Sequence, residues 1–246
     1  MKDLKHKEYR RICPGAERAV LFIHGIAGTP RHFDDFVALT PDNVSVYNML
    51  LEGHGKGVRD FSRASMSAWE SQVHAAVTEL LKTHKYLYIA AHSMGTLFAI
   101  SEAIGEARVK KLFLLAVPIK LSLKAAMVKN ALKVCFNKVE GDAHAQAAKN
   151  CCGVEISKNP LLYLGWIPRY LELFSKISRT RKLMGRLSTE TCVFQSARDE
   201  MVSLSSARYL GVNPGVRVNV LENSSHYYYE KEDYQILLAA FTAFIQ

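Results

Sequence analysis

The sequence predicts an α/β fold in which a mostly parallel sheet carries helices on both faces. Near-continuous apolar runs at 86–91 and 109–117 are typical of strands that are buried on both sides. Amphipathic helical patterns separate the strands along most of the chain, and this alternation favours parallel strands joined by helices. A chain of 246 residues is also long enough to bury one substantial core.

The first 50 residues contain three predicted strands. Segments 8–13 and 19–24 flank a turn-forming Pro-Gly pair, so we expect an N-terminal hairpin. A proline then suits the first turn of a helix over 30–39, and segment 44–50 is the third strand.

A longer helix is predicted before the strand at 86–91. Ser67 and Glu70 have the spacing of a capping box, so the helix should begin there and end near His84. After the strand, a tight turn leads into another helix, which Gly105 ends.

The alternation of predicted strands and helices is interrupted between 118 and 186. Helix-like segments separated by Gly, Pro and Asn occur there without a clear strand, at 125–137, 143–151 and 170–177. The pattern then resumes with a strand, a short helix, a last strand and a closing helix, at 191–196, 205–210, 216–220 and 230–246. We therefore predict a core domain formed by 1–117 and 187–246, with an insertion at 118–186.

The composition and the pattern of apolar and charged residues exclude several classes of protein. The N-terminal sequence MKDLKHKEYRR is charged and lacks the apolar segment of a secretory signal, and no apolar run approaches 18 residues. We therefore expect no membrane span and a cytoplasmic location. The five cysteines form neither an even set nor a CxxC motif, so reduced thiols are favoured over disulfides or a metal site.

Positive charge is concentrated in one part of the chain. The formal net charge is +9, and the stretch 108–186 holds 16 Lys or Arg against 4 Asp or Glu. Such a surplus attracts anionic substrates, membrane surfaces or nucleic acid. The basic residues stand singly among apolar ones, which favours an ordinary solvated face, and no nucleic-acid-binding motif is present. Weak binding of the protein to an anionic surface remains an alternative interpretation of this charge.

The turn after the strand at 86–91 is the most informative feature. Ser93 lies at its tip, with Ala91 two residues before it and Gly95 two residues after it. Small residues are needed there because the backbones of strand and helix come very close, as in a nucleophile elbow. The start of the helix adds unpaired N–H groups that stabilise an anion. The same short pattern also arises by chance in helix-opening turns, so the rest of the chain has to decide.

A serine nucleophile requires a base, and the base requires an orienting acid. Reactive groups gather at the carboxyl ends of strands in such sheets. Four histidines follow or end predicted strands: His24, His54, His92 and His226. His226, in the loop after the last strand, is the favoured base. We expect His24 to hold its turn in shape, His92 to be a packed or hydrogen-bonded neighbour of the serine, and His54 to lie in a mobile glycine-rich loop.

Asp199 is the favoured acid, because it directly follows the strand at 191–196. Glu222 is a local rival that lies nearer to His226 in the sequence. A solvated aspartate in a surface turn remains the alternative interpretation of Asp199.

Five motifs occur in the order found in α/β-hydrolases: HGIAGTP at 24–30, LEGHG at 51–55, AHSMG at 91–95, ARDEMV at 197–202 and NSSH at 223–226. More narrowly, the chain resembles compact bacterial carboxylesterases and monoacylglycerol lipases. The resemblance covers nearly the whole chain and is weakest at 118–186. Ala91 and Thr96 stand where that group commonly has glycine.

The resemblance implies an α/β-hydrolase fold with Ser93 as the nucleophile, His226 as base and then acid, and Asp199 as the orienting carboxylate. The backbone N–H groups of Ile26 and Met94 would form the oxyanion hole. The implied reaction is hydrolysis of short- or medium-chain acyl esters or monoacylglycerols through an acyl-enzyme, without metal or organic cofactor.

The insertion at 118–186 would correspond to the cap that these enzymes place over the site. Its apolar and aromatic residues suit an acyl pocket, although they also suit simple packing onto the sheet. The same triad serves thioesterases, acyltransferases and C–C bond hydrolases, and these stay open. A non-catalytic binding protein with this fold is a further alternative. The presence of all three triad residues argues against it, because a binding role does not require them together.

Overall fold

The computed structural model describes residues 6–246, so the first five residues of the charged N-terminal stretch lie outside the described residues. Its strands are β1 Tyr9–Arg11, β2 Arg18–Ile23, β3 Ser45–Asn48, β4 Lys56–Gly57, β5 Tyr86–His92, β6 Val109–Leu115, β7 Val154–Glu155, β8 Glu190–Ser196 and β9 Val216–Leu221. Its helices are α1 Asp34–Leu39, α2 Val58–Arg63, α3 Met66–Leu81, α4 Met94–Gly105, α5 Ala125–Cys135, α6 Ala143–Asn150, α7 Ile167–Leu183, α8 Ser206–Leu210 and α9 Lys231–Ile245. Among residues 6–246, no helix is long and apolar enough to cross a membrane.

Seven strands form one sheet in the order β1-β3-β2-β5-β6-β8-β9. Every neighbouring pair is parallel except β1 with β3. The predicted α/β fold with a mostly parallel sheet is therefore confirmed. In such a sheet the carboxyl ends of β2, β5, β6, β8 and β9 meet at one edge, where reactive side chains can gather.

The predicted N-terminal hairpin is wrong, because β1 pairs with β3 and not with β2. The guanidinium group of Arg11 donates to the carbonyl oxygens of Thr40, Pro41 and Val44. These contacts tie β1 to the chain that enters β3. The turn-forming Pro-Gly pair therefore redirects the chain across the sheet without pairing the strands on either side of it.

Apolar residues cover both faces of the sheet. Alternate residues of β2 enter different clusters: Leu21 packs with residues of α3 and α4, and Phe22 packs with residues of α1 and α9. A strand that is buried on both sides must be apolar throughout, which explains the continuous run in the sequence.

Helix α3 begins two residues earlier than the capping box predicts. The hydroxyl oxygen of Ser65 accepts a hydrogen bond from the N–H of Ala68 at 3.1 Å, so Ser65 and not Ser67 is the N-cap. A Ser-X-Ser sequence offers two capping hydroxyls at nearly the same place, and the contact with Glu172 favours the first, since that carboxylate accepts the N–H of Met66.

Residues 118–186 form α5, α6 and α7 and one short strand that the sequence does not predict. This strand, β7, pairs in parallel with β4 outside the main sheet. Two residues are too few to produce a periodic pattern. Gly153, directly before this strand, donates its N–H to the carbonyl of Ala27 in the loop that follows β2.

Candidate active site

Ser93 occupies a strained backbone turn between β5 and α4. Its φ of +51° and ψ of −122° lie in a region that residues with a side chain rarely adopt. The N–H of Ser93 donates to the carbonyl of Leu115 at the end of β6, which holds the turn at the edge of the sheet. This is the strand–turn–helix geometry of a nucleophile elbow.

Gly95 is needed for this turn. A Cβ atom at this position would lie 2.7 Å from the carbonyl oxygen of His24 and closer still to that of Ile23. Thr96, which departs from the usual glycine, has a role of its own. Its hydroxyl group donates to the carbonyl of Ser93 at 2.6 Å, so the side chain closes the turn from within.

His226 and Asp199 are in direct contact. The distance between His226 Nδ1 and Asp199 Oδ2 is 2.8 Å, and each side chain is 1% exposed. The structure thus brings the predicted base and acid together across 27 residues of sequence. The rival Glu222 is exposed, and Asp199 is not the solvated turn residue of the alternative interpretation.

Asp199 is held as an anion. Burial raises the pKa of its carboxyl group, but the charge of His226, its hydrogen bond and two backbone N–H groups outweigh burial and leave the pKa below its ordinary value. Those N–H groups belong to Met201 and Val202, which donate to Oδ1 at 2.7 and 2.8 Å. One carboxylate oxygen is therefore fixed by the backbone, and the other faces the imidazole.

The two ring nitrogens of the His226 imidazole differ in their contacts. Burial lowers its pKa, but the charge and hydrogen bond of Asp199 and the charge of Glu200 outweigh burial, so the pKa lies above its ordinary value. Its Nε2 atom is buried and makes no hydrogen bond with any residue from 6 to 246. Hydrogen bonds of this kind often form only when a substrate is bound. With Nδ1–H donated to Asp199, Nε2 is the atom that can accept a proton.

His92 joins the loop of His226 to the turn at Ser93. Its Nε2 lies 3.1 Å from the carbonyl oxygen of His226, and the two ring centroids are 4.8 Å apart. Burial, with the neighbouring histidine charges, holds the pKa of His92 well below its ordinary value, so the ring is neutral and Nε2–H is the donor. The predicted role of His92 as a hydrogen-bonded neighbour is confirmed, and this contact places His226 beside the residue that precedes Ser93.

The loop after β2 runs alongside Ser93. A Cβ atom at Gly25 would lie 3.0 Å from Ser93 Cβ. His24 Nδ1 lies 2.9 Å from the Gly25 carbonyl, and its Nε2 accepts the N–H of Leu51 at 3.1 Å, so His24 shapes the loop as predicted. The N–H groups of Ile26 and Met94 make no hydrogen bond within the described part of the chain.

His54 differs from its prediction. It does not lie in a mobile loop, because its side chain is buried against His24 at a ring-centroid distance of 4.7 Å. Burial lowers its pKa to about 4. Its Nδ1 lies 3.2 Å from the carbonyl oxygens of Leu51 and Glu52, so its role is to hold the loop after β3.

A cavity of about 340 Å³ lies between the sheet edge and residues 118–186. It is lined by residues next to Gly25, Asp199 and His226 in the sequence, namely Ile26, Glu200 and Tyr227. Most other lining side chains are apolar or aromatic and come from 118–186: Met127, Val134, Ile156, Tyr163, Trp166 and Tyr170 are among them. No cluster suited to a metal ion occurs among residues 6–246.

Two residues beside the site escaped the sequence analysis. The Glu200 carboxylate is buried and accepts the N–H of His226 at 3.2 Å. Its position directly after β8, which singled out Asp199, applies equally to Glu200. Gly153 donates its N–H to the carbonyl of Ala27 at 2.7 Å, and a Cβ atom there would overlap the carbonyl of Gly28. No local pattern marks Gly153, because its close contact arises only in the folded chain.

Comparison with known proteins gives a family and a set of similar structures. The chain matches the alpha/beta hydrolase family over residues 20–240. No curated protein matches it by sequence.

Three solved structures illustrate the similarity. A structure from work on LipS and LipT, two metagenome-derived lipolytic enzymes, is 19% identical, with a TM-score of 0.73 and 98% of each chain covered. The monoacylglycerol lipase of Paleococcus ferrophilus is 15% identical, with a TM-score of 0.66 and coverage of 97% of this chain and 98% of that one. Est1E from Butyrivibrio proteoclasticus, solved with ferulic acid, is 17% identical, with a TM-score of 0.64 and coverage of 97% and 93%. At these identities the likeness concerns the fold.

Proposed function

The chain belongs to the alpha/beta hydrolase family, and we propose that it is a serine hydrolase that cleaves carboxylic esters through an acyl-enzyme. Ser93 is the proposed nucleophile, His226 the base and then the acid, and Asp199 the orienting carboxylate. The observation that carries the proposal is the buried 2.8 Å contact between His226 and Asp199, which leaves Nε2 of His226 without a partner among the described residues.

The first half-reaction forms the acyl-enzyme. Nε2 of His226 takes the proton of the Ser93 hydroxyl while Oγ bonds to the ester carbonyl carbon. The carbonyl oxygen becomes an oxyanion, which the N–H groups of Ile26 and Met94 stabilise. When the intermediate collapses, the bond to the alcohol oxygen breaks and His226 gives its proton to that oxygen.

The second half-reaction returns the enzyme to its starting state. A water molecule gives a proton to His226 and attacks the acyl carbon. The second tetrahedral intermediate then expels Ser93 Oγ, which regains its proton from the imidazole, and the carboxylic acid leaves. The negative charge of Asp199 stabilises the imidazolium in both steps.

We propose that 118–186 is a cap over a core of 1–117 and 187–246, and that the cavity beneath it receives the acyl chain. Its volume of about 340 Å³ is at the small end of the range for small-molecule sites. Apolar and aromatic lining suits a hydrocarbon chain. Short- or medium-chain acyl esters, including monoacylglycerols, are therefore the proposed substrates.

The test is a panel of p-nitrophenyl esters from acetate to palmitate, assayed with the wild type and Ser93→Ala. We expect activity to peak at short or medium chain length and to fall by roughly 10⁴-fold or more in the variant. Near-normal turnover by Ser93→Ala would contradict the proposal. Assays with acyl-thioesters and with alcohol acceptors distinguish a thioesterase or acyltransferase on the same triad, and lack of turnover on the whole panel favours a C–C bond hydrolase or a binding protein.

A further inference from the structure

Helix α5 is apolar on two sides and contains no buried residue. Met127 and Val134 on one side line the cavity. On the other side Val128, Leu132 and Phe136 are 52%, 53% and 67% exposed. A helix on a globular protein normally exposes its polar side. The second apolar side, formed by Val128 and Leu132 with Phe136 directly after the helix and called the outer face of α5 below, therefore lacks, among the described residues, the partner that its composition suits.

Lysines border the outer face of α5. Lys129, Lys133 and Lys138 line the same surface groove as its apolar residues. Lys133 pairs with Asp142, but Lys129 and Lys138 form no ion pair with a residue that the structure describes. The segment 118–152 contains six lysines and two acidic residues, a net charge of +4.

This combination points to an anionic lipid surface. Apolar side chains that enter the boundary between headgroups and acyl chains bury their area, while neighbouring lysines contact lipid phosphates. A second copy of the chain would bring a charge of +4 against the same charge, which opposes association through this face. Nucleic acid would match the lysines but leave the apolar residues exposed.

We propose that the outer face of α5 adsorbs to membranes containing anionic phospholipid. Adsorption through this helix would bring the cavity, which lies against its inner side, close to the lipid surface. An ester that leaves the bilayer would then meet the cap first. This goes beyond the proposed function and does not depend on it, because adsorption needs no reaction at Ser93.

The test is co-sedimentation of the full chain with vesicles of phosphatidylcholine alone or mixed with phosphatidylglycerol. We expect binding to the mixed vesicles that weakens at high salt. Leu132→Glu/Phe136→Glu should lower the partition coefficient by roughly tenfold or more, because two apolar side chains no longer insert. Lys129→Gln/Lys138→Gln should lower it several-fold on mixed vesicles only.

Two controls keep the result specific. Val212→Glu changes another exposed apolar side chain, outside 118–186, and should bind as the wild type does. Ser93→Ala should also bind normally, so loss of hydrolysis and loss of adsorption are separate outcomes. All variants are checked for an unchanged melting temperature.

Three outcomes would overturn the proposal. The first is no binding of the wild type to mixed vesicles, and the second is unchanged binding of Leu132→Glu/Phe136→Glu. The third is a dimer in sedimentation velocity that this double variant dissociates, since a second copy would then occupy the face.

Discussion

His92 Nε2 donates a hydrogen bond to the backbone carbonyl of His226 over 3.1 Å, so the residue before the proposed nucleophile holds the loop of the proposed base. This contact crosses from the end of β5 to the loop after β9. Two turns that are 134 residues apart in the sequence are thus fixed to each other by one neutral imidazole.

His92 is therefore predicted to be a positioning residue. His92→Phe keeps the ring volume but removes the donor, and we expect kcat to fall by roughly 10- to 100-fold with little change in KM, because misplacement of the base affects the transition state. His92→Gln, whose amide can donate to the same carbonyl, should recover part of the loss. Equal activity of the Phe and Gln variants would indicate that the hydrogen bond has no such role.

The pH dependence of hydrolysis should report the His226–Asp199 contact. Only the neutral imidazole accepts a proton, so kcat/KM should fall as the pH drops through the pKa of His226. Asp199 and Glu200 raise that pKa, which places the acid limb above pH 6.5. In Asp199→Asn the limb should move to lower pH, and the plateau should fall by roughly 10³- to 10⁴-fold. A limb that stays in place in this variant would argue against the pairing.

Glycine is required at position 95 but not at position 105. Gly95→Ala forces a Cβ atom to within 2.7 Å of the His24 carbonyl oxygen, so backbone must shift at the nucleophile turn, and both stability and activity should fall. The added Cβ of Gly105→Ala, at the other end of α4, meets no atom of residues 6–246 within 4 Å. It should change the free energy of unfolding by at most about 1 kcal/mol, in the stabilising direction. Urea unfolding of both variants tests the contrast.

Four histidines whose pKa values are lowered in the folded chain should make the fold acid-sensitive. Burial lowers the pKa of His24, His32, His54 and His92, to about 3 for His32 and about 4 for His54. Below pH 6.5 the unfolded chain takes up protons that the folded chain excludes, so stability present above that pH is lost as the pH falls. Each of these histidines lowers the free energy of unfolding by roughly 1.4 kcal/mol for each unit that the pH falls between its unfolded-state and its folded-state pKa.

Urea unfolding at pH 7 and pH 5.5 measures this loss. His226, whose pKa is raised, acts with the opposite sign near its own pKa and offsets part of the loss there. His32→Phe should reduce the slope of stability against pH, because it removes one imidazole whose pKa is lowered in the folded chain. A free energy of unfolding that is the same at both pH values would contradict the prediction.

Sequence patterns predicted the elements with long apolar runs and the residues that directly follow them. The strand predicted at 86–91 is β5, Tyr86–His92, because a strand buried on both sides leaves a continuous signal. Asp199 and His226 were predicted because each follows a strand. The carboxyl ends of parallel strands lie at one edge of the sheet, so residues that follow different strands come close together.

Features that depend on contacts distant in the sequence were missed. The N-terminal hairpin was wrong because Arg11 binds carbonyls near β3, and no local pattern records that choice. The β4–β7 pair and the contact of Gly153 with Ala27 involve one or two residues each. The two apolar sides of α5 are visible in the sequence, but which side faces the cavity is known only from the structure.

The most direct measurement of the central claim is labelling by a fluorophosphonate probe, followed by peptide mapping. The account predicts one adduct, on Ser93 Oγ, that forms at least about 10³-fold more slowly in His226→Ala. An adduct on another residue, or labelling of His226→Ala at the wild-type rate, would show that His226 does not activate Ser93.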